Sequence, residues 1–317
     1  MAVLVTITIL YEKFKQQEDY NDEFNHYNLV KKYLLTDSSL ARSKKPLMWI
    51  HVDYDINARW WESFASRNST CLNQPYFYLT IKSIIDKCGE DFNICLINDN
   101  TFTDILPGWT IDLSTMANPL REHFRLLALA NTLHLYGGIL VPPTFICFKS
   151  LGGMYYEHCV DNKMFVGEFI DNNITSAQVD FFPNPMLMGC MKECPKMGEF
   201  ISYLEILNSN DYTNEMDFLG EPSRWCYKGI LENTINKVGG DKLGVMTDRC
   251  KGITLELLLG ATIFTLSDYA LGLYIPADQI LKRTSYQWFA RLSPAQVLNS
   301  DTMIGKYLLA ATDSIVK

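Results

Sequence analysis

The chain has 317 residues, 48% of them hydrophobic and 20% charged, which is enough apolar material for one sizeable domain and is not the balance of a disordered chain. A net charge of -8 and a pI near 5.2 leave no basic stripe to neutralise phosphates, which excludes an ordinary nucleic-acid-binding surface. A local basic pocket for one diphosphate stays compatible with that charge.

Residues 1–11 carry no charge, and Glu12 to Lys15 follow at once. A bilayer core needs about 20 apolar residues, so this piece cannot span one alone. Two readings stand: a buried strand, from its Val, Ile and Thr content, or the inner half of a membrane anchor that begins outside this chain. Residues 12–45 are polar and read as a stalk or surface helix. The expected division is therefore 1–45, apolar segment and stalk, and 46–317, one folded domain.

The fold proper is expected from Pro46. Leu47 to Val52 is an apolar run closing on Asp53-Tyr-Asp55, which predicts a strand opening into a polar loop. From about Asn73, with Pro75 in the first turn, Phe77, Ile81, Ile84, Ile85 and Cys88 recur at helical spacing, and Gly89 stops the helix. Phe92 to Ile97 is the second predicted strand, ending in Asn98-Asp99-Asn100. Strand, helix, strand makes a βαβ unit, and parallel sheets bind ligands at the carboxyl ends of their strands, which sets Asp53, Asp55 and Asp99 on one rim.

A second helix is predicted from Asn118 as N-cap, with Pro119 first, to about Leu135. Its expected buried stripe is Leu120, Phe124, Leu127 and Ala128, while Arg121 and Arg125 lie one turn apart on another face. Gly137-Gly138 ends it, and Ile139 to Phe148 is expected as a strand broken by Pro142-Pro143. Further on, Lys163–Ile170 and Met186–Cys190 read as strands and Lys196–Leu207 as a helix. Glu232–Val238 reads as a helix, Ala261–Leu266 as a late strand, and Ser300–Val316 as a surface helix.

Nine scattered cysteines read as buried free thiols, and Cys190-Met-Lys-Glu-Cys194 without a second pair is a weak zinc signal. Asn68-Ser-Thr and Asn173-Ile-Thr match the glycosylation triplet. The motifs of P-loop, serine-hydrolase and zincin chemistry are absent, and the five histidines do not cluster.

Arg125-Leu-Leu, Tyr136-Gly-Gly138, Thr144 and the strand that follows resemble the core motif of the capsular-polysaccharide-synthesis and mannosyltransferase-like glycosyltransferases of the GT-A fold. Asn184-Pro-Met-Leu-Met-Gly189 is similar to their later acceptor-side strand. Leu72-Asn-Gln-Pro-Tyr76 and Lys82-Ser-Ile-Ile85 resemble relatives encoded by large DNA viruses. The resemblance implies an α/β fold that is GT-A-like, a Rossmann-like, mostly parallel sheet flanked by helices. It also implies transfer of a hexose from a nucleotide sugar. In that family Tyr-Gly-Gly leads into Asp-x-Asp or Asp-x-Thr, which holds Mn or Mg against the leaving diphosphate.

Here Val141-Pro142-Pro143-Thr144 stands in that place and offers no carboxylate, so no Mn or Mg cofactor is expected there. Arg125 sits about one helical turn further from Tyr136 than in the family, and no histidine follows His158 to complete a metal sphere. The remaining cations are Arg59, Arg121 and Arg125, or a metal held by Asp53 and Asp55. That pair reads first as loop-capping residues, next as acceptors for ribose hydroxyl or base N–H groups, and least as a metal site. The nucleotide-binding candidates are Asp53, Asp55, Arg59, Asp99, Arg121, Arg125, Gly137, Gly138 and Thr144. Arg125 has a competing role as ion-pair partner of Glu122 or Asp99, and the glycines one as helix stop.

Two functions follow. One is a degenerate, metal-independent glycosyltransferase. The other is a catalytically inactive protein of the same fold, serving binding or assembly on a membrane or in a virion. Expected partners are a nucleotide sugar, a membrane through the N-terminus and protein assembly partners, and the expected location is membrane or virion.

Overall fold

The computed structural model describes residues 45–52, 74–170, 181–209 and 215–313. The apolar segment 1–11, the stalk, and the triplets at Asn68 and Asn173 lie outside the described residues.

Period-2 alternation builds a sheet covered on both faces. In β1 (Leu47–His51), Met48 and Ile50 enter one core while Leu47 and Trp49 enter the other. β2 (Asn93–Ile97) repeats the pattern, with Ile94 and Leu96 on the first side and Cys95 and Ile97 on the second. Between them α1 (Phe77–Cys88) buries Phe77, Ile81, Ile84 and Cys88 at helical spacing. Each full burial of such a side chain contributes about 1.5–3 kcal/mol.

After β2 a short helix, α2 (Thr101–Ile105), precedes α3 (Leu120–Tyr136). β3 (Gly138–Leu140) and β4 (Phe145–Cys147) are separated at Pro142-Pro143, as two missing amide donors require. There follow α4 (Gly152–His158), β5 (Met164–Ile170), β6 (Phe181–Cys190), α5 (Pro195–Ser209), α6 (Glu215–Leu231) and β7 (Ile235–Val238). The chain continues through α7 (Leu255–Leu259), β8 (Gly272–Tyr274), α8 (Ala277–Lys282), α9 (Pro294–Leu298) and α10 (Met303–Asp313).

The main sheet has six strands in the order β2-β1-β3-β6-β5-β7. β1 pairs in parallel with β2 and β3, and β5 with β7, while β6 alone runs against its neighbours β3 and β5. The sheet is thus mostly parallel, as expected, and β4 and β8 form a separate antiparallel pair. α3 and α5 pack together over the face that buries Trp49, while α1 lies against β4 over the opposite face.

Five expectations need correction. Residues 235–238 form a strand and not a helix, because Asn233 takes the left-handed conformation (φ 57°) and ends α6, and Ile235 and Val238 are then buried beside β5 in the cores on the two faces of the sheet. Residues 261–266 form no strand and contribute only a single bridge from Leu266 to Thr247; the late strand is β8. Asn118 does not cap α3: Pro119 holds that position, and the Asn118 amide instead donates to Glu122 at 3.3 Å. Leu120 is 45% exposed, since burial along α3 begins only at His123. The C-terminal helix is also less superficial than expected, with Met303, Ile304, Leu308 and Ala311 in the core.

Candidate functional site

β1, β2, β3, β5 and β7 point the same way, so their carboxyl ends form one rim. α3 runs back from that rim, which puts Arg121 and Arg125 near it and Gly137-Gly138 at the amino end of β3. Those two glycines therefore take no part in a rim site. Gly138 has φ 104°, and a Cβ there would fall 2.1 Å from the Leu47 carbonyl oxygen; Gly137 has φ 72° and lies against the Lys192 backbone. Both are there because the chain must turn at close quarters. The turn is tied down by Trp49 Nε1, which donates to the Gly137 carbonyl at 3.0 Å, and by Tyr136, whose hydroxyl donates to the Ile105 carbonyl at 2.6 Å.

At the end of β2, the Asn98 side-chain oxygen accepts from the amide of Thr101, the first residue of α2, at 3.1 Å. Asp99 turns instead toward α3. Arg125 grips it with both arms, Nε to Oδ1 at 2.7 Å and Nη2 to Oδ2 at 2.6 Å, and His51 Nε2 meets Oδ1 at 2.9 Å. The two side chains of the ion pair are only 13% and 17% exposed. Burial pushes the Asp99 carboxyl up, but the hydrogen bonds and charges of Arg125 and His51 outweigh it and hold the group well below the usual carboxylate range. His51 in turn stacks on Phe102 with ring centroids 5.8 Å apart. Arg125 and Asp99 are thus each other's partners, one of the two roles the sequence left open.

Arg121 is placed differently. One turn before Arg125 on α3, it spends only Nε, which donates to the Met116 carbonyl at 2.9 Å. Its two terminal amines make no hydrogen bond or ion pair among the described residues. An arginine anchored at Nε, with a fork still to offer, suits a phosphate or carboxylate.

The corner at residues 141–144 is closed. Val141 is fully buried and Thr144 is 3% exposed. The carbonyls are already used: Pro142 accepts from the Phe145 amide at 3.1 Å, Pro143 from the Thr80 hydroxyl at 2.6 Å and Thr144 from the Ile275 amide at 3.2 Å. With no carboxylate and with carbonyls engaged, these residues do not fit a divalent cation. Among the described residues no three His, Cys, Asp or Glu side chains converge as a metal site. Asp53, Asp55 and Arg59 lie outside the described residues.

Cys190 and Cys194 are remote from the rim. Cys190, the last residue of β6, pairs with Gly138 at the amino end of β3. A hydrogen bond with Cys190 pulls the Cys194 thiol down to about 6 against the effect of burial, but both side chains are fully buried. Sequence reading missed His51 as the third member of the Asp99 network. Its place at the end of an apolar strand, just before Asp53, was the available signal.

No protein-family model matches the chain, and no curated protein matches it. Among solved structures, the galactosyltransferase LgtC in complex with donor and acceptor sugar analogues overlaps 61% of this chain and 73% of its own, with 10% identity and a TM-score of 0.32. The glycosyltransferase GlyE of Streptococcus pneumoniae TIGR4 overlaps 81% of this chain, at 10% identity and a TM-score of 0.36, and the match spans 63% of that protein. Overlaps at these scores record a likeness and assign no family; the mixed α/β class rests on the sheet and helices of the chain itself.

Proposed function

We propose that this protein is a glycosyltransferase-like protein that takes a nucleotide sugar at the carboxyl rim and transfers its hexose without a carboxylate-held metal. The observation that carries the reading is Arg121, which presents an unspent guanidinium fork at the end of a parallel sheet where nucleotides characteristically bind. A departing nucleoside diphosphate needs its charge met by a fixed cation, and Arg121 has donors to spare among the described residues. Asp99 and Arg125 brace the rim beside it. The nucleotide-sugar reading is in keeping with the sequence resemblance.

The test is nucleotide release from UDP- and GDP-hexoses in EDTA, followed by chromatography with and without MnCl2. Release should be independent of Mn, and Arg121→Ala should lower it about tenfold or more, the cost of losing a charge-assisted hydrogen bond. Release that requires Mn and is lost on substituting Thr144 would overturn the metal-independent site.

The closed 141–144 corner favours a second reading, an inactive protein that binds without turnover. Nucleotide-sugar binding with no release above the buffer rate would select it.

A further inference from the structure

A half-enclosed cavity of about 130 Å³ lies beside the corner, on the side away from α3. Its position follows from three connections. Ile170 ends β5 at the carboxyl rim; Tyr274 pairs with Phe145 of β4; and the next residue, Ile275, donates its amide to the Thr144 carbonyl at 3.2 Å. Ile275, between the lining residues Tyr274 and Pro276, thus ties the cavity to the 141–144 corner.

The lining has a division of labour. Ile170, Val245, Ile253 and Leu255 give an apolar wall. Tyr274 and Gln279 also line it, and their hydroxyl and side-chain amide make no hydrogen bond among the described residues. The Tyr274 ring is fixed edge-on against Phe169, with centroids 4.9 Å apart, so the hydroxyl is presented on a rigid mount. Burial, reinforced by Asp278, keeps that phenol protonated. The charges at the mouth cancel: Arg283 contacts Glu256 at 2.7 Å, and Tyr286 donates to the same carboxylate at 3.1 Å. An anion would meet Glu256 and a cation Arg283, so the site is matched to a neutral ligand.

The volume limits what can enter. A closed cavity of about 150 Å³ holds one benzene ring, so this half-enclosed one of about 130 Å³ seats at most part of a single hydroxylated ring, the rest of which lies in its open mouth. Apolar side chains together with a phenol and an amide that have no partner among the described residues suit a ring with one hydrophobic face and hydroxyls at its edge. We propose that the cavity is a subsite for one neutral pyranose unit, with Tyr274 and Gln279 hydrogen-bonding its hydroxyls. Its role as the place of the accepting sugar rests on the function proposed above; the binding itself does not.

The test uses the full chain and the methyl pyranosides of glucose, galactose and mannose, followed by saturation-transfer NMR and calorimetry. At least one should bind, and Tyr274→Phe and Gln279→Ala should each weaken it about tenfold, one neutral hydrogen bond. Tyr274→Phe keeps the ring and its contact with Phe169, and an unchanged melting temperature will show that both variants are folded. Absence of signal from every pyranoside overturns the subsite, as does binding that neither variant weakens. Nucleotide-sugar melting shifts measured in parallel separate the two readings. A donor shift without pyranoside binding removes the subsite alone, and Tyr274-dependent pyranoside binding without a donor shift removes the donor reading alone.

Discussion

Asp99 is the residue on which the rim depends. Its carboxylate joins the end of β2 to α3 through Arg125 and to the end of β1 through His51. Breaking a buried pair by removing one charge leaves the other uncompensated and costs about 3–5 kcal/mol. Asp99→Asn is therefore expected to lower stability by about 3 kcal/mol, read from the urea midpoint at neutral pH. Its dependence on acid has a definite sign. The folded carboxyl is held below its ordinary range, so its contribution is complete above about pH 4 and fades as the pH drops further toward the folded value. Wild-type stability should accordingly fall faster than that of Asp99→Asn between about pH 4 and pH 2. Parallel curves would show that Asp99 is not paired as described.

Among the elements, the turn from α3 into β3 is the most constrained. Gly138 combines φ 104° with a site where a Cβ would meet the Leu47 carbonyl oxygen at 2.1 Å. Alanine there forces apart β1 and β3, neighbours in the centre of the sheet, and Gly138→Ala should lose well over the roughly 1–3 kcal/mol of backbone strain alone. Gly153, inside α4 with nothing within 4 Å of its would-be Cβ, is the control. Gly153→Ala should be neutral or stabilising by up to about 1 kcal/mol. Equal loss in both variants, measured by urea unfolding, would contradict the assigned turn.

The same comparison shows what the sequence made legible. Apolar runs closed by polar clusters located β1, β2 and β5 to within a residue or two, and helical spacing located α1, α3 and α5. β7 was misread because its four residues are too few to show a period, and its strand character comes from pairing with β5, a contact distant in sequence. At the site, the loss of carboxylates at Pro142 and Pro143 was readable outright. The partnership of Asp99 with Arg125 was readable only as one of two alternatives, and the fork of Arg121 was not readable at all. Which arginine is spent depends on a carbonyl, Met116, that carries no side-chain signature.

At the scale of the whole molecule, five parallel strands gather residues far apart in sequence onto one rim, and the two sugar-related proposals divide it. Arg121 lies on the α3 side, and the Tyr274 cavity lies across the corner on the β5 and β8 side. Among the described residues no helix is long and apolar enough to cross a membrane. Residues 1–11, uncharged and apolar, remain the proposed membrane or assembly contact. Their deletion should leave the melting temperature nearly unchanged and abolish association with vesicles; a large loss of stability would identify them as core. The rim itself is proposed to bind a nucleotide sugar without a metal. Thermal unfolding in EDTA with saturating UDP- or GDP-hexose tests it most directly. A ligand at about 100 times its dissociation constant adds about 2.7 kcal/mol, so one donor should raise the melting temperature by several degrees, and Arg121→Ala should abolish the rise. A full donor panel that leaves the wild-type melting curve unmoved would contradict the claim.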